Sequence, residues 1–219
     1  MLVSQKIQYQ IFDLGRIGFR SAYEFQKNIF LKVKNNLLNS AIILGEHNPV
    51  ITIGRCGKEK EIKVDYQKLK QRNIEVLSID RGGKTTYHGP GQLVIYFIFD
   101  LRFFKKDLHY FFNFLENLGI LFLNKFGIMA NSKSGMRGVW VDNKKIISIG
   151  ISVKNWITYH GMSINIKDEV LNNFSLIYPC GLDIEVTSLE SILKKEIPLS
   201  KAKEIFLSCF KEEVEKWLR

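Results

Sequence analysis

The sequence predicts an α/β protein in which flanking helices pack against a mixed sheet. Short apolar runs such as residues 93–99 are typical of buried strands, whereas residues 23–38 and 200–218 place apolar side chains at helical spacing. The two kinds of segment alternate along 219 residues, and no long linker or repeat of domain size interrupts them. We therefore expect a single domain spanning residues 1–219.

The N-terminal half begins with alternating apolar residues and continues with an amphipathic segment. Two strands then flank a turn that contains Pro49, and a short helix and a strand lead into a glycine-rich loop. In chain order, these strand, helix, strand, strand, helix and strand predictions cover residues 6–14, 23–38, 41–44, 50–53, 65–72 and 75–79.

From residue 93 onwards the chain contains two further predicted helices. A long helix is predicted over 108–126, and Ser200 is a candidate N-cap for the last helix. Between them, Asp142-Asn143 is a good hairpin turn. The predicted strands are residues 93–99, 138–141, 145–153 and 156–166, and the apolar face of the last helix is Ala202, Ile205, Phe206, Cys209, Phe210, Val214, Trp217 and Leu218.

The formal charge of +10 admits a nucleic acid, an anionic membrane or an acidic protein as partner. Its lysines are spread along the chain without a basic stripe interleaved with aromatics, which argues against nucleic acid. No apolar run is long enough to span a bilayer, and residues 1–10 lack the blocks of a secretory signal. We expect a cytoplasmic protein, with an organelle matrix left open, and neither nucleic acid nor membrane as partner.

Cysteine and histidine usage argues against metal and disulfides. Three cysteines form no CxxC pair and leave one unpaired in any disulfide scheme, and the four histidines show no HExxH spacing. We predict no metal and no cofactor.

The loop from Arg81 to Gln92 is the first candidate site. Gly83-Lys84-Thr85 ends like a phosphate-binding P-loop, but Ser78 stands where that motif requires its first glycine, so nucleotide hydrolysis is rejected. Glycines let a backbone approach a ligand closely, and Arg, Tyr and His among them indicate a ligand site rather than a plain turn. The tetrapeptide Thr-Tyr-His-Gly recurs at 158–161, which is too short to indicate duplication.

The cysteines separate by context. Cys209 lies on the apolar face of the last helix and is predicted to be a core residue, while Cys56 is ambiguous. Cys180, between a proline and a glycine, is the candidate nucleophile, because a loop thiol can be reached by a substrate. A nearby cation would favour its thiolate. The sequence leaves its partner open among Lys144, Lys145, Lys154, His88 and His160.

These motifs resemble the octanoyltransferases of lipoate biosynthesis, the lipoyl(octanoyl) transferases. The resemblance covers about residues 40–195 in order and spacing; Lys84 and Thr85 stand where the family often has other residues, and Phe97 replaces a frequent proline. The matching segments are 45–50, 54–55, 81–93, 138–141, 145–150, 160–161, Asn165, 179–181 and 186–189.

The resemblance implies a single catalytic domain of the biotin/lipoate protein-ligase type. It implies that Cys180 takes an octanoyl group from octanoyl-acyl carrier protein as a thioester, that Lys145 activates it, and that a lysine of a lipoyl domain receives the group. The implied acceptors are E2 subunits of 2-oxoacid dehydrogenases and the glycine cleavage H protein, the implied enzyme is a monomer, and an acidic carrier protein fits the basic charge. The implied substrate-binding residues are Arg81, Gly82, Gly83, Lys84, Thr85, Thr86, Tyr87, His88, Ser148, Ile149, Gly150, Gly161, Met162 and Ser163.

Two rival functions remain. An ATP-dependent lipoate or biotin ligase shares the implied fold but forms an acyl-adenylate and does not need Cys180. A basic nucleic-acid-binding module would show affinity that falls steeply with salt.

Overall fold

The computed structural model describes residues 8–181 and 184–217, with the side chains of Cys180 and Trp217 outside the description. It confirms the α/β class. The strands are β1 (Gln10–Ile17), β2 (Ser40–His47), β3 (Val50–Ile53), β4 (Glu75–Ser78), β5 (Thr85–His88), β6 (Gln92–Phe99), β7 (Asn131–Lys133), β8 (Met136–Val141), β9 (Lys144–Lys154) and β10 (Ile157–Asn165). The helices are α1 (Phe19–Lys34), α2 (Tyr66–Gln71), α3 (Leu108–Asn124), α4 (Leu189–Leu193) and α5 (Leu199–Trp217).

The strands form two sheets. The larger has seven strands in the order β1-β2-β6-β10-β9-β8-β7 and is mixed, because β1 and β2 are parallel while its other neighbours are antiparallel. The smaller has the order β4-β3-β5, with β3 parallel to β4 and antiparallel to β5.

Helices cover both faces of the larger sheet. On β2, Ile42 and Leu44 join the core cluster of α3 and α5, whereas Ala41 and Ile43 join the cluster of α1. Because successive side chains of a strand point to opposite faces, β2 and β6 are buried along both. This double burial explains the continuous apolar run at 93–99 that predicted a strand.

The first helix lies four residues earlier than predicted. Gly18 precedes α1, and Asn36 adopts φ 57°, a left-handed conformation that ends the helical segment. Leu37, predicted to lie on the apolar face, is consequently 76% exposed. The first strand is likewise displaced: β1 begins at Gln10, and residues 6–7 lie outside the described residues.

Several elements were not predicted. The glycine-rich segment contains β5, because its backbone pairs with β3 from Val50 to Ile53. The strand β7, the helix α4 and two 3-10 segments, Asp168–Leu176 and Pro179–Gly181, were also missed. Ser200 is not the residue preceding α5, which begins at Leu199. The predicted face of α5 is buried at Ala202, Phe206, Cys209, Phe210 and Val214.

Candidate active site

A cavity of about 410 Å³ opens between the two sheets. The smaller sheet contributes β5 and the loop before it, and the larger contributes side chains of β6, β8, β9 and β10. Apolar groups form much of its wall, including Val94, Ile149 and Met162. The cavity therefore combines an apolar interior with the glycine-rich loop at its side.

Arg81 fastens the loop to the smaller sheet. Its guanidinium is buried and donates to the Thr52 carbonyl at 2.8 Å, to Thr52 Oγ1 at 2.9 Å and to the Gly82 carbonyl at 3.0 Å. A buried guanidinium needs such acceptors, because an unpaired one would carry a large desolvation cost. The charge thus borders the cavity while its position is fixed by β3.

Glycines bring the same loop against the larger sheet. Gly82 N donates to the Ile151 carbonyl at 2.8 Å, and a Cβ placed on Gly150 would lie 2.9 Å from the Gly82 carbonyl oxygen. Gly83 has φ +86°, a backbone conformation that residues other than glycine rarely adopt. The loop can therefore touch β9 only with these small residues in place.

Two buried histidines beside the cavity are neutral. Burial lowers the pKa of His88 to about 3 and that of His47 to about 4. His88 Nδ1 donates to Gln92 Oε1 at 2.7 Å, and His47 Nδ1 donates to the Ile17 carbonyl at 3.1 Å. Because both pKa values lie far below 7, these rings act as hydrogen-bonding groups at neutral pH.

A third histidine, His160, belongs to a cluster around Asp80. The Asp80 carboxylate accepts from Tyr23 at 2.8 Å, from Tyr159 at 2.5 Å and from His160 Nε2 at 3.0 Å. The hydrogen bond from His160, followed by those from the two tyrosines, holds the pKa of Asp80 well below its ordinary range, while burial lowers that of His160. The cluster ties α1 and β10 to the residue that precedes Arg81.

Lys145 is a second buried cation of the cavity wall, with only 4% of its surface exposed. Its Nζ lies 5.3 Å from the centre of the Trp140 ring. A Cβ on Gly138 would lie 2.5 Å from Lys145 Cε, so the absence of a side chain at 138 provides the space that this lysine occupies. Its backbone also accepts from Thr187 N at 3.0 Å, which connects it to the segment after Cys180.

Cys180 lies in the 3-10 turn Pro179–Gly181, and its side chain lies outside the described residues. The turn begins where Tyr178 N donates to the Glu61 carbonyl at 2.7 Å, and Gly181 N closes it on the Tyr178 carbonyl at 2.8 Å. Gly181 has φ +66°. The distance between the Cys180 thiol and Lys145 is thus not defined, and the pairing of these two residues stays a prediction.

The structure places most of the predicted substrate-binding residues at one cavity. All of them line it except Gly82, which bonds β9 through its backbone, and Tyr87. The Tyr87 ring packs against Phe174 on the far side of β5, and its hydroxyl accepts from Asn173 Nδ2 at 2.9 Å. Tyr87 therefore supports β5 from behind.

Other lining residues escaped the sequence analysis because they come from distant elements. Phe19 arrives from the start of α1, and Tyr96 from the middle of β6. Cys56 also lines the cavity and is exposed, which gives the ambiguous thiol a place near the site. Trp140 could have been identified from its position beside Gly138 in the matched 138–141 segment.

Comparisons with known proteins agree with this architecture. The family model of the lipoyl protein ligase A/B catalytic domain matches residues 19–211. An octanoyltransferase of Caldicellulosiruptor bescii is 43% identical over 187 residues, which cover 84% of this chain and 82% of that protein.

Solved structures show the same fold at low sequence identity. A bipartite lipoate protein ligase from Thermoplasma acidophilum, studied with its E2 lipoyl domain, matches with a TM-score of 0.75 at 14% identity, covering 96% of this chain and 85% of that one. A biotin protein ligase from Aquifex aeolicus, in complex with biotin and ATP, matches with a TM-score of 0.61 at 13% identity, covering 95% and 71%. The predicted biotin/lipoate protein-ligase fold is thereby confirmed.

The described residues contain neither a candidate metal centre nor a candidate membrane-spanning helix. No three His, Cys, Asp or Glu side chains within 8–181 and 184–217 come together in a way that could hold a metal ion. In the same residues, no helix is both long and apolar enough to cross a membrane.

Proposed function

Because the chain belongs to the octanoyltransferase family and carries the lipoyl protein ligase A/B catalytic domain, we propose that it transfers an octanoyl group from octanoyl-acyl carrier protein to a lysine of a lipoyl domain. The observation that carries the proposal is the cavity, where buried Lys145 and the glycine-rich loop border an apolar space. The whole chain, 1–219, acts as one catalytic domain.

In the first step, the Cys180 thiolate attacks the carbonyl carbon of the octanoyl thioester. A new carbon–sulfur bond forms to Cys180, the bond to the carrier's thiol breaks, and that thiol leaves with a proton. Exchange of one thioester for another is nearly balanced in free energy, and covalent catalysis divides the transfer into two easier steps. Lys145 is the group we assign to exchange this proton.

In the second step, the amine of the acceptor lysine attacks the acyl-Cys180 carbonyl carbon. The amide bond forms, the bond to Cys180 breaks, and the proton lost by the amine passes to the thiolate through Lys145. Conversion of a thioester to an amide is downhill, so no ATP is consumed. Support for the role of Lys145 comes from its fixed position over Gly138 in the cavity wall.

The apolar wall suits a medium-length acyl chain. Burial of a methylene contributes about 0.8 kcal/mol, so six methylenes contribute roughly 5 kcal/mol. Val94, Ile149 and Met162 provide an apolar surface for these methylenes. The depth of the cavity would then set the preferred length of the acyl chain.

The two protein partners follow from charge and family. The formal charge of +10 favours an acidic carrier protein as donor. The structural likeness to a lipoate protein ligase that was studied with an E2 lipoyl domain favours lipoyl domains as acceptors. We expect E2 subunits of 2-oxoacid dehydrogenases and the glycine cleavage H protein to accept the octanoyl group. We also expect the enzyme to be active as a monomer.

The proposal is tested by mass spectrometry of a lipoyl domain incubated with octanoyl-carrier protein and enzyme, without ATP. The wild type should add one octanoyl group, and Cys180→Ala should lose at least a thousandfold in rate because the nucleophile is absent. The matched variant Cys56→Ala, at the other thiol of the cavity, should retain most of the rate. Near-normal transfer by Cys180→Ala would contradict the proposal.

A second experiment, with ATP, distinguishes this transferase from an ATP-dependent ligase, an activity found in proteins of the same fold. The lipoyl domain is incubated with free octanoate, ATP and enzyme. Our proposal expects no modification in this arm. Octanoylation that requires ATP and survives Cys180→Ala would establish the ligase instead.

A further inference from the structure

Two opposite charges flank the turn that bears Cys180. A Cβ placed on Gly181 would lie 2.7 Å from Glu61 Oε1 and 2.8 Å from Lys84 Nζ. Both groups therefore pack directly on the backbone of the residue after Cys180. We call Glu61 and Lys84 the flanking pair.

Glu61 is held firmly in this place. It is 7% exposed, its Oε2 accepts from Thr85 N at 3.0 Å, and its backbone carbonyl accepts from Tyr178 N. Glu61 thus contacts both β5 in the cavity wall and Tyr178, the residue that precedes the 3-10 turn containing Cys180. A carboxylate so buried is costly unless it interacts with donors or cations.

Lys84, which also lines the cavity, packs on the same side of Gly181 as Glu61, because both groups surround the position that a Cβ there would occupy. Gly181 accommodates both groups because it has no side chain and adopts φ +66°. Consecutive Cα atoms are about 3.8 Å apart, so the two charges lie within one residue of the Cys180 backbone. A unit charge near a thiol changes the free energy of thiolate formation.

We propose that the flanking pair tunes the Cys180 thiol, with Lys84 stabilising the thiolate and Glu61 opposing it while positioning the turn. The inference rests on the proposed role of Cys180 as nucleophile. Both are positioning residues, because they act through the turn and not on the reacting atoms.

Other charged groups near the turn are the same in every variant of the test. Lys63 Nζ lies 4.1 Å from the centre of the Tyr178 ring, and Lys145 and Arg81 border the cavity. The Glu185 carboxylate lies 3.0 Å from Lys144 Nζ. Because these groups do not change, the difference between variants reports on the flanking pair.

The test measures the rate of iodoacetamide alkylation at Cys180 against pH, by peptide mapping of the full-length protein. Lys84→Met should raise the pH midpoint by about 0.5 to 1 unit, and Glu61→Gln should lower it by a similar amount. The glutamine oxygen can still accept from Thr85 N, which preserves the fold. A purely structural role would not shift the midpoint in opposite directions.

Matched controls come from the same 3-10 segment, Glu59–Glu61. Glu59→Gln and Lys60→Met remove exposed charges of each sign and should move the midpoint by less than a third as much, because solvent screens them. Shifts of the same sign, no shift, or equal shifts in the controls would overturn the inference.

Failure of this inference is distinct from failure of the proposed function. Alkylation requires no octanoyl donor, so the midpoints can be read whether or not transfer occurs. An enzyme that forms acyl-Cys180 normally but shows unshifted midpoints would retain the function and lose the role of the flanking pair.

Discussion

The same tetrapeptide, Thr-Tyr-His-Gly, occurs once in each sheet, and its two copies are used differently. In the first copy, residues 86–88 lie in the regular strand β5 and Gly89 follows it, and the tyrosine faces away from the cavity and contacts Asn173. In β10, residues 158–161 place the histidine at φ 60°, and both its ring and the neighbouring tyrosine bond the Asp80 carboxylate.

The contrast shows that the partners on other elements decide the role of a local sequence. His88 and His160 both line the cavity, one from each side. The first has a neutral amide as its partner, and the second has a carboxylate. The smaller-sheet copy is therefore held by burial and by hydrogen bonds to neutral groups, whereas the larger-sheet copy also has a charged partner.

The largest expected effect is on stability, and it differs between Gly161 and Gly89, the glycines that end the two copies of the tetrapeptide. A Cβ on Gly161 would lie 2.1 Å from the Ile95 carbonyl oxygen, a backbone atom of the neighbouring strand. Gly161→Ala should lower the free energy of unfolding by about 3 kcal/mol, measured by urea denaturation, because β10 and β6 must separate.

Gly89→Ala is the matched variant. There the added Cβ meets the ring of Tyr87, a side chain that can rotate at some cost, so we expect a loss of about 1.5 kcal/mol. An equal or larger loss for Gly89→Ala would reverse the comparison.

The pH dependence of stability should distinguish the histidines. Burial holds the folded pKa of His88 at about 3, whereas its ordinary pKa is about 6.5. Between these two values the His88 ring is protonated in the unfolded chain and neutral in the folded protein. Stability should consequently fall as the pH drops from about 6.5 towards 4, by about 1.4 kcal/mol per pH unit for this residue. Urea denaturation across this range measures the slope.

His88→Gln should remove the share of the slope that belongs to this residue, while His47, whose pKa is also lowered by burial, keeps its own share. His160→Gln should remove less of it, because the Asp80 carboxylate opposes the effect of burial on the pKa of His160. Identical slopes in both variants would show that Asp80 does not distinguish the two rings.

Asp80→Asn should produce a smaller loss, about 1 kcal/mol at pH 7, because the carboxylate is partly exposed and screened. Its folded pKa is lowered, so its contribution is present above about pH 4 and disappears as the pH falls through the folded pKa. The difference in unfolding free energy between variant and wild type should therefore narrow below pH 4. A constant difference at every pH would argue against an ionic role.

The smallest expected effect on stability comes from Asn173, the neutral partner of Tyr87 in the copy at residues 86–89. Asn173→Ala removes the donor to the Tyr87 hydroxyl and should cost about 0.5 to 1 kcal/mol, with no dependence on pH between 4 and 8. Thermal denaturation at several pH values checks this. A pH-dependent loss would mean that this copy also relies on charge.

Sequence patterns predicted the fold wherever one segment carries its own signal. The buried strand at 93–99 and the apolar face of α5 were correct because burial imposes composition and period. The strand β5 was missed because its identity depends on pairing with β3, which no local pattern reveals. The early end of α1 was missed because it depends on a left-handed Asn36.

The site was predictable in its segments but not in its contacts. The glycine-rich loop and the 148–150 and 161–163 segments meet at one cavity, as the resemblance implied. Nothing in the sequence indicated that Tyr87 faces away or that Glu61 reaches Gly181. Such contacts join elements far apart in the chain, and only the folded backbone brings them together.

The central claim concerns covalent chemistry at one sulfur, and intact-mass spectrometry tests it most directly. Enzyme mixed with octanoyl-carrier protein, in the absence of a lipoyl domain, should gain the mass of a single octanoyl group, and peptide mapping should assign it to Cys180. Loss of the group on addition of a lipoyl domain would complete the cycle. A protein that stays unmodified while transfer proceeds, or that carries the group at Cys56, would contradict the account.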